Sequence, residues 1–358
     1  MLDLNGRLQS RLLERLLTIL IAIAAAFVVS VLFIAALGVN PFAAYGAMVK
    51  GALGRSTGIL EILAKATPLI IIGLGVSMAQ KGGLANLGGD GQFYIGGIAS
   101  VCVGLFLPES TPALLVWVLA LVAAILAGGV WGGIAGVLKA RFNTSEVIIT
   151  IMMNYVALYF VAWLVAGPLQ APGGIPQTRA LPDVFHFPKL VAGSRAHWGI
   201  AIGLSLAVLV WFVMNKTVAG YRIETVGAAP KAAVYGGIRT KFYTVVILFV
   251  AGAFAGVAGM VEVYGSVYRV LEGITTNFGF TAMLIALLAQ LNPVAVVLGS
   301  LFISMLTVGA NSMQIQMNVP TSIVNVVQSL IIFFILAMPG IWSVLKGKLP
   351  AKKAKGDV

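Results

Sequence analysis

Long apolar runs, broken by short polar or glycine-rich stretches, set the plan of this chain. Taken in order they predict ten helices, at about 17–38, 58–79, 92–108, 113–137, 146–167, 198–215, 243–262, 279–290, 294–311 and 321–345. Several of these runs reach the roughly 20 residues that a helix needs to cross a hydrocarbon core of about 30 Å. Transmembrane strands would instead leave weak alternating segments of about 10 residues. The pattern therefore predicts an all-α, polytopic transmembrane helical bundle. The pair 279–290 and 294–311 is unusual, because one helix is short and the turn at Asn292-Pro293 carries no charge, so a re-entrant hairpin is the alternative there.

One interruption differs in kind. Residues 84–97, Leu-Ala-Asn-Leu-Gly-Gly-Asp-Gly-Gln-Phe-Tyr-Ile-Gly-Gly, place two amides, an acid and five glycines between two apolar runs. Breakable polar backbone is tolerated at membrane depth only where it is buried in protein or lines a water-filled cavity. The segment thus points to a pathway through the bilayer.

Composition narrows the class. Of 358 residues, 60% are hydrophobic and 9% charged, against about 25% charged in an average soluble domain. Arg7, Arg11 and Arg15 precede the first apolar run as in a signal peptide, but that run, of about 22 residues, is too long and lacks a cleavage site, so it reads as a retained helix. With the N-terminus in the cytoplasm, 16 lysines and arginines fall on inside segments and 6 on outside ones, with Lys65 within a helix. This bias supports the topology. The expected organisation is a cytoplasmic segment at 1–16, a transmembrane domain at 17–345 with its longest inside loop at about 216–242, and a basic cytoplasmic tail at 346–358. The net charge of +12 sits beside helix ends and in that tail, which suits anchoring to anionic membrane lipid and not binding to nucleic acid.

Catalytic signatures are missing. The sequence has no phosphate-binding Gly-x-x-x-x-Gly-Lys-[Ser/Thr] loop, no nucleophile elbow and no paired His-Glu zinc motif, so no catalytic residue is predicted. Cys102 is the sole cysteine and allows neither an internal disulfide nor a thiolate metal cluster. His186 and His197 fall in the outside loop at about 168–197 and are expected to be solvated, with no metal role. If ATP drives this conduit, another subunit must use it, and no cofactor is expected on this chain.

Glycine is patterned as well as abundant. Gly128, Gly132 and Gly136 recur every four residues, as do Gly129 and Gly133, with Gly252, Gly256 and Gly259 forming a second set. Such faces let membrane helices approach closely. Among intramembrane polar residues, Glu61 and Lys65 are spaced to pair at i, i+4. Asn86, Asp90 and Gln92 lie in the glycine-rich break. Glu146, Thr150 and Asn154 form one stripe of the fifth helix beside Tyr155. That stripe faces the bundle interior, for helix-to-helix bonding or to line a path. Asn311 and Gln314 end the ninth helix and suit a gate or polar turn. In the inside loop, Gly227 reads as a turn, Pro230 as the first position of a short helix, and Gly236-Gly237 as its stop. The alanines of that helix leave a smooth face for a cytosolic partner, with a plain connector as the alternative.

Four of these segments together carry a resemblance. Asn86 to Gln92, Asn143 to Val147 with Thr150 and Met153-Asn-Tyr155, Gly227 to Ile238, and Gly279-Phe280 with Ala286-Leu-Leu288 and Asn292-Pro293 look like the permease subunits of bacterial ATP-binding cassette (ABC) importers. They are most similar to the simple-sugar and nucleoside branch, related to the branched-chain amino-acid permeases. The resemblance implies a subunit of the bacterial cytoplasmic (inner) membrane that pairs with itself or a sister permease. It further implies two cytosolic ATPase subunits, which use the ATP, and an extracytoplasmic substrate-binding protein that delivers solute. It implies coupling to the ATPase through Gly227, Pro230, Ala232, Ala233, Tyr235 and Gly237, and a substrate path involving Asn86, Asp90, Gln92, Thr150, Asn154, Tyr155, Phe280 and Gln314. The expected solute is a nucleoside or simple sugar, with a branched-chain amino acid or another small polar solute as runner-up. The chain departs from the pattern at Asp90, often Glu, Glu224, often Arg, Ala229, often Asn, and Thr281, often Asp. A transporter driven by an ion gradient is the alternative of another class, and its candidate acids would be Glu61, Glu146 and Glu262.

Overall fold

The computed structural model describes residues 21, 24–275, 277–323, 325–330, 333, 334 and 337. The expected segments at 1–16 and 346–358 lie outside the described residues, as does most of the tenth predicted helix. Two compact units result, one of residues 55–305 and one joining the chain up to Gly54 with the chain from Leu306.

In the smaller unit, helix α1 (Ala24–Ala36) and helix α2 (Pro41–Leu53) meet at a bend of 115°. Helix α2 was expected as outside loop. Its start signal is local: Asn40 caps it, the side-chain Oδ1 accepting from the amides of Phe42 and Ala43, and Pro41 follows at the first position. Gly51 and Gly309 give the close approach between α2 and the last part of α12 (Pro293–Met317). A β-carbon on Gly51 would sit 2.1 Å from Ser312 Cβ. Helix α12 was expected to stop near residue 311. It continues through Asn311 and Gln314 because nothing there breaks a helix before Asn318, which adopts φ +55°.

The larger unit contains α3 (Ser56–Lys81), α4 (Gly89–Phe106), α5 (Ala113–Phe142), α6 (Glu146–Ala166), α7 (Gly199–Lys216), α8 (Val218–Ala228), α9 (Pro230–Tyr235), α10 (Thr240–Glu262), α11 (Phe278–Leu288) and the start of α12. A π-turn at Val263–Val267 extends α10. Among the described residues, helices α3, α5, α6, α7, α10 with its π-turn, and α12 are each long and apolar enough to cross a membrane, which makes six, or seven if α1 and α2 together form one span. Helix α4 falls short because its first turn holds Asp90 and Gln92, and α11 has 11 residues.

The glycine repeats build the centre of this unit. A β-carbon on Gly252 would lie 2.3 Å from the carbonyl oxygen of Gly128, one on Gly256 2.3 Å from that of Ala124, and one on Gly96 2.2 Å from Gly256 Cα. Helices α4, α5 and α10 thus touch backbone to backbone. On the other side of α5, Leu114, Val118, Val122, Leu126 and Val130 are exposed, as are Val156, Tyr159 and Trp163 of α6. Such apolar outer faces match lipid.

The loop between α6 and α7 is packed against the helix ends. The indole of Trp117 donates to the carbonyl of Phe185 at 2.8 Å, and the amide of Phe187 to that of Tyr264 at 2.9 Å. The two histidines correct the expectation of solvation. His186 stacks on Tyr268 with ring centres 3.7 Å apart, and His197 is 1% exposed, its Nδ1 accepting from the amide of Gly199 at 3.1 Å. Burial, with the Lys189 charge as a smaller contribution, pushes the His197 imidazole down to about 4 and keeps it neutral.

Candidate functional site: where two half-helices meet

After α3 ends at Lys81, the chain turns at Gly83 (φ +73°) and climbs back along the same helix. It resumes as α4 level with Ile72, since a β-carbon on Gly89 would lie 3.2 Å from Ile72 Cγ2. A second segment descends from the opposite end. The strap, described at residues 268–275 and 277 between the π-turn and α11, runs antiparallel to α4. Tyr268 accepts from the amide of Leu181, whose side chain packs on Gly104. Lower down, the amide of Gly273 donates to Tyr94 Oη at 3.0 Å, and the amide of Gly279 to Asp90 Oδ1 at 3.0 Å. Helices α4 and α11 therefore begin side by side, midway along α3. A β-carbon on Gly89 would lie 2.9 Å from Gly279 Cα.

Two helix N-termini present unpaired amides and partial positive charge at one place. Asp90 answers this locally. Its carboxylate holds the first turn of α11, with the Thr275 hydroxyl and the amides of Phe278 and Phe280 turned toward it. The remaining predicted polar residues stitch the broken backbone to α6. Asn86 and Gln92 exchange amide bonds of 2.9 and 3.1 Å, and Asn86 Oδ1 also accepts from the amide of Gly88. Thr150 Oγ1 accepts from the amide of Leu87 at 3.3 Å and donates to the carbonyl of Glu146 at 2.7 Å. Asn154 accepts from the amide of Gly91 at 2.8 Å and donates to the carbonyl of Leu87 at 2.7 Å. Asn86, Gln92 and Thr150 are buried. The amides of Leu87, Gly88 and Gly91 and the carbonyl of Leu87 are thus satisfied by side chains, as a low-dielectric interior requires.

Beside this lattice opens a cavity of 290 Å³, lined by Asp90, Tyr94, Ile151, Asn154, Tyr155, Leu158, Glu272, Gly273, Thr275, Asn277 and Phe280. Of the predicted path residues, Asp90, Asn154, Tyr155 and Phe280 reach it. Asn86, Gln92 and Thr150 lie behind the wall, and Gln314 is an exposed residue of α12 in the smaller unit. Tyr94 and the strap residues Glu272, Thr275 and Asn277 were missed by sequence reasoning. The polar run Glu272-Gly-Ile-Thr275 before an apolar helix was the available signal.

The charged residues nearby are paired differently from expectation. Glu61 bonds Arg195 of the loop between α6 and α7 at 3.6 Å and not Lys65, four residues on. Both line a separate 250 Å³ cavity with Lys65 and Glu262. Glu146 pairs with Lys139 across the turn between α5 and α6, at 3.0 Å.

At the other end of the bundle, Pro230 opens the six-residue α9 and Gly237 (φ +75°) ends it, as expected. Gly227 is corrected. It lies within α8 and presses on the turn after α3, where a β-carbon would be 2.1 Å from the carbonyl oxygen of Lys81. The turn comes two residues later, at Ala229 (φ −148°, ψ 76°). Ala233 is buried, whereas Pro230, Ala232 and Gly237 are exposed and Tyr235 is 93% exposed.

Apolar spans surrounding a cavity at the meeting of two broken helices define a multi-pass membrane permease. The chain belongs to the family of permease components of branched-chain amino acid transport systems, whose model matches residues 58–336. It is 36% identical over 347 residues to the guanosine ABC transporter permease protein NupP of Bacillus subtilis, covering 96% of this chain and 99% of that protein. It is 33% identical to the nucleoside ABC transporter permease protein NupB of Lactococcus lactis, over 95% and 96% of the two chains. With the glucose ABC transporter permease protein TsgB13 of Haloferax volcanii it shares 33% identity over 89% and 86%. The protein is a transport component and not an enzyme.

Proposed function

We propose that this chain is the membrane subunit of an ATP-driven importer that carries nucleosides by alternating access across a bacterial cytoplasmic membrane. The observation that carries this reading is the cavity, where three aromatic rings, Tyr94, Tyr155 and Phe280, stand among carboxylate, amide and hydroxyl groups. Flat rings stack on a nucleobase, and the polar groups suit its sugar. The nucleoside permeases among its relatives support the same solute, and the glucose permease supports a neutral, hydroxyl-rich one. A branched-chain amino acid fits less well. Its carboxylate needs a cation or a free helix N-terminus, but no lysine or arginine occurs among the described residues lining the cavity, and Asp90 already occupies the N-terminus of α11.

Energy enters through α9. Its exposed face docks on a cytosolic ATPase, and its motion passes by contact through α8, through Gly227 on the Lys81–Gly83 turn, to the break that carries Asn86 and Asp90. The full assembly pairs two permeases, identical or sister, with two ATPases and an extracytoplasmic binding protein. Both chain ends lie in the cytoplasm. About ten segments cross or enter the membrane, with the strap and α11 together making one passage.

The test is uptake of labelled nucleoside by cells carrying the chain with its partner subunits, with glucose and leucine as competitors. We expect unlabelled nucleoside to compete and leucine not to, whereas competition by leucine alone would sink the solute assignment. In the same cells Gly237→Arg should abolish uptake at an unchanged amount of membrane protein. The arginine meets open space but puts a bulky side chain on the docking face, with a backbone cost of only about 1 kcal/mol. Normal uptake by this variant would make the loop a mere connector.

A further inference from the structure

Subtracting the groups that are already engaged changes what the cavity offers a solute. Asn154 is occupied at both amide atoms, Asp90 holds the first turn of α11, and Tyr94 Oη accepts from the strap. These residues shape the wall. Glu272 is different: it is exposed on the strap, it lines the cavity, and among the described residues no hydrogen bond or ion pair engages it. Its position is nevertheless fixed. Leu271 on one side bridges to Gln177, and Gly273 on the other is held by Tyr94. An exposed carboxylate held in place at the cavity and not engaged by the protein keeps both oxygens open as acceptors for a ligand.

We propose that Glu272 recognises a vicinal diol on the solute, its two carboxylate oxygens accepting from adjacent hydroxyl groups such as those of ribose. The inference rests on the nucleoside reading above and deepens it. Charge-assisted bonds of this kind are about twice as strong as neutral ones. Two acceptors on one rigid group also demand two neighbouring donors, so the arrangement selects a ribonucleoside over its deoxy form. The rings of Tyr94, Tyr155 and Phe280 then take the base. Asp90 and Asn154 act as positioning residues, because they fix the wall without donating to or accepting from the solute.

The experiment compares the intact importer carrying Glu272→Gln with the unaltered one, for guanosine and for 2′-deoxyguanosine. The glutamine keeps the shape but turns one acceptor into a donor. Because the binding protein is the same in both, its own preference cancels when the variant-to-wild-type ratio is taken for each solute. We expect that ratio to fall at least about tenfold for guanosine and to stay within about twofold for the deoxynucleoside. Glu272→Ala should give the same ranking, and the amount of each variant in the membrane checks folding. Equal losses for both solutes, or no loss for either, would overturn the diol assignment while leaving the nucleoside reading intact. If the unaltered importer carried no nucleoside, the solute reading itself would fall, and this inference with it.

Discussion

The seam between α5 and α10 and the junction of α4 with α11 lie in the same unit and solve opposite problems. In the seam, Gly128, Gly252 and Gly256 remove side chains so that two continuous helices touch through their backbones. At the junction two helices stop short, and Asn86, Asp90, Gln92, Thr150 and Asn154 are brought in to satisfy what the stops expose. The seam is dry and admits no additional atom. The junction is polar and leaves a 290 Å³ cavity beside it. A transport path needs both, because the polar opening must be carried by something that does not yield.

If that division holds, the largest effect belongs to the seam. Gly252→Val would force a β-carbon to within 2.3 Å of the Gly128 carbonyl oxygen, with backbone and not a flexible side chain in the way. Overpacking of this kind costs about 3 kcal/mol or more when the helices cannot move apart. The yield of monodisperse protein in mild detergent and its thermal midpoint should both drop sharply. A variant of normal stability would mean that the two helices slide freely, and the seam would lose its role as scaffold.

The junction should respond in a graded way. Asp90→Ala leaves the Gly279 amide at the start of α11 without its acceptor, for a cost of about 1–3 kcal/mol. Asp90→Asn keeps an acceptor and loses only the charge at the helix N-terminus, about 0.3–1 kcal/mol. Transport should therefore fall at least about tenfold for alanine and only a few-fold for asparagine. An asparagine variant as inactive as alanine would make the charge itself essential and turn Asp90 from a positioning residue into a solute ligand.

How much of this was readable beforehand follows the same division. Helices α3, α5, α6, α7 and α10, the glycine faces and the Pro230 to Gly237 turn are written in local periodicity and in residues with one strong conformational preference. The broken segment announced itself as polar, but the partner of Asp90 lies 189 residues away on a helix too short to stand out. The strap left still less trace, for its residues satisfy themselves through Tyr94 and Thr178 and through contacts far along the chain. The i, i+4 spacing of Glu61 and Lys65 misled because Arg195, in the loop between α6 and α7, was within reach, which no local pattern encodes.

His197 tests the dry regime with a polar group. Its imidazole is buried against Gly199 and Gly265, accepts from the Gly199 amide and is held neutral, titrating near 4 instead of 6.5. Below about pH 6.5 the unfolded chain binds a proton that the folded one refuses, so stability falls with falling pH until about pH 4. By pH 5 the loss amounts to about 2 kcal/mol. Melting curves between pH 7.5 and 4.5 should show this slope, and His197→Gln should flatten it. A wild-type profile with no extra slope over the glutamine variant would place the imidazole in contact with water.

The smallest effect is expected at Glu224, an acid where the resemblance implies arginine, on α8 next to the proposed docking helix α9. Its carboxylate accepts from Lys81 at 2.8 Å, so the reversed charge is answered within the chain, at the end of α3, and does not require a matching change on the ATPase. Glu224 is 48% exposed and Lys81 21%, and water screens a pair of this kind to well under about 1 kcal/mol. Glu224→Gln should accordingly leave uptake within about twofold of wild type and the melting temperature nearly unchanged. A large loss of ATP-driven uptake at normal stability would mean that the acid faces the partner after all. The Lys81 contact would then be incidental, and the acid would belong to the docking face.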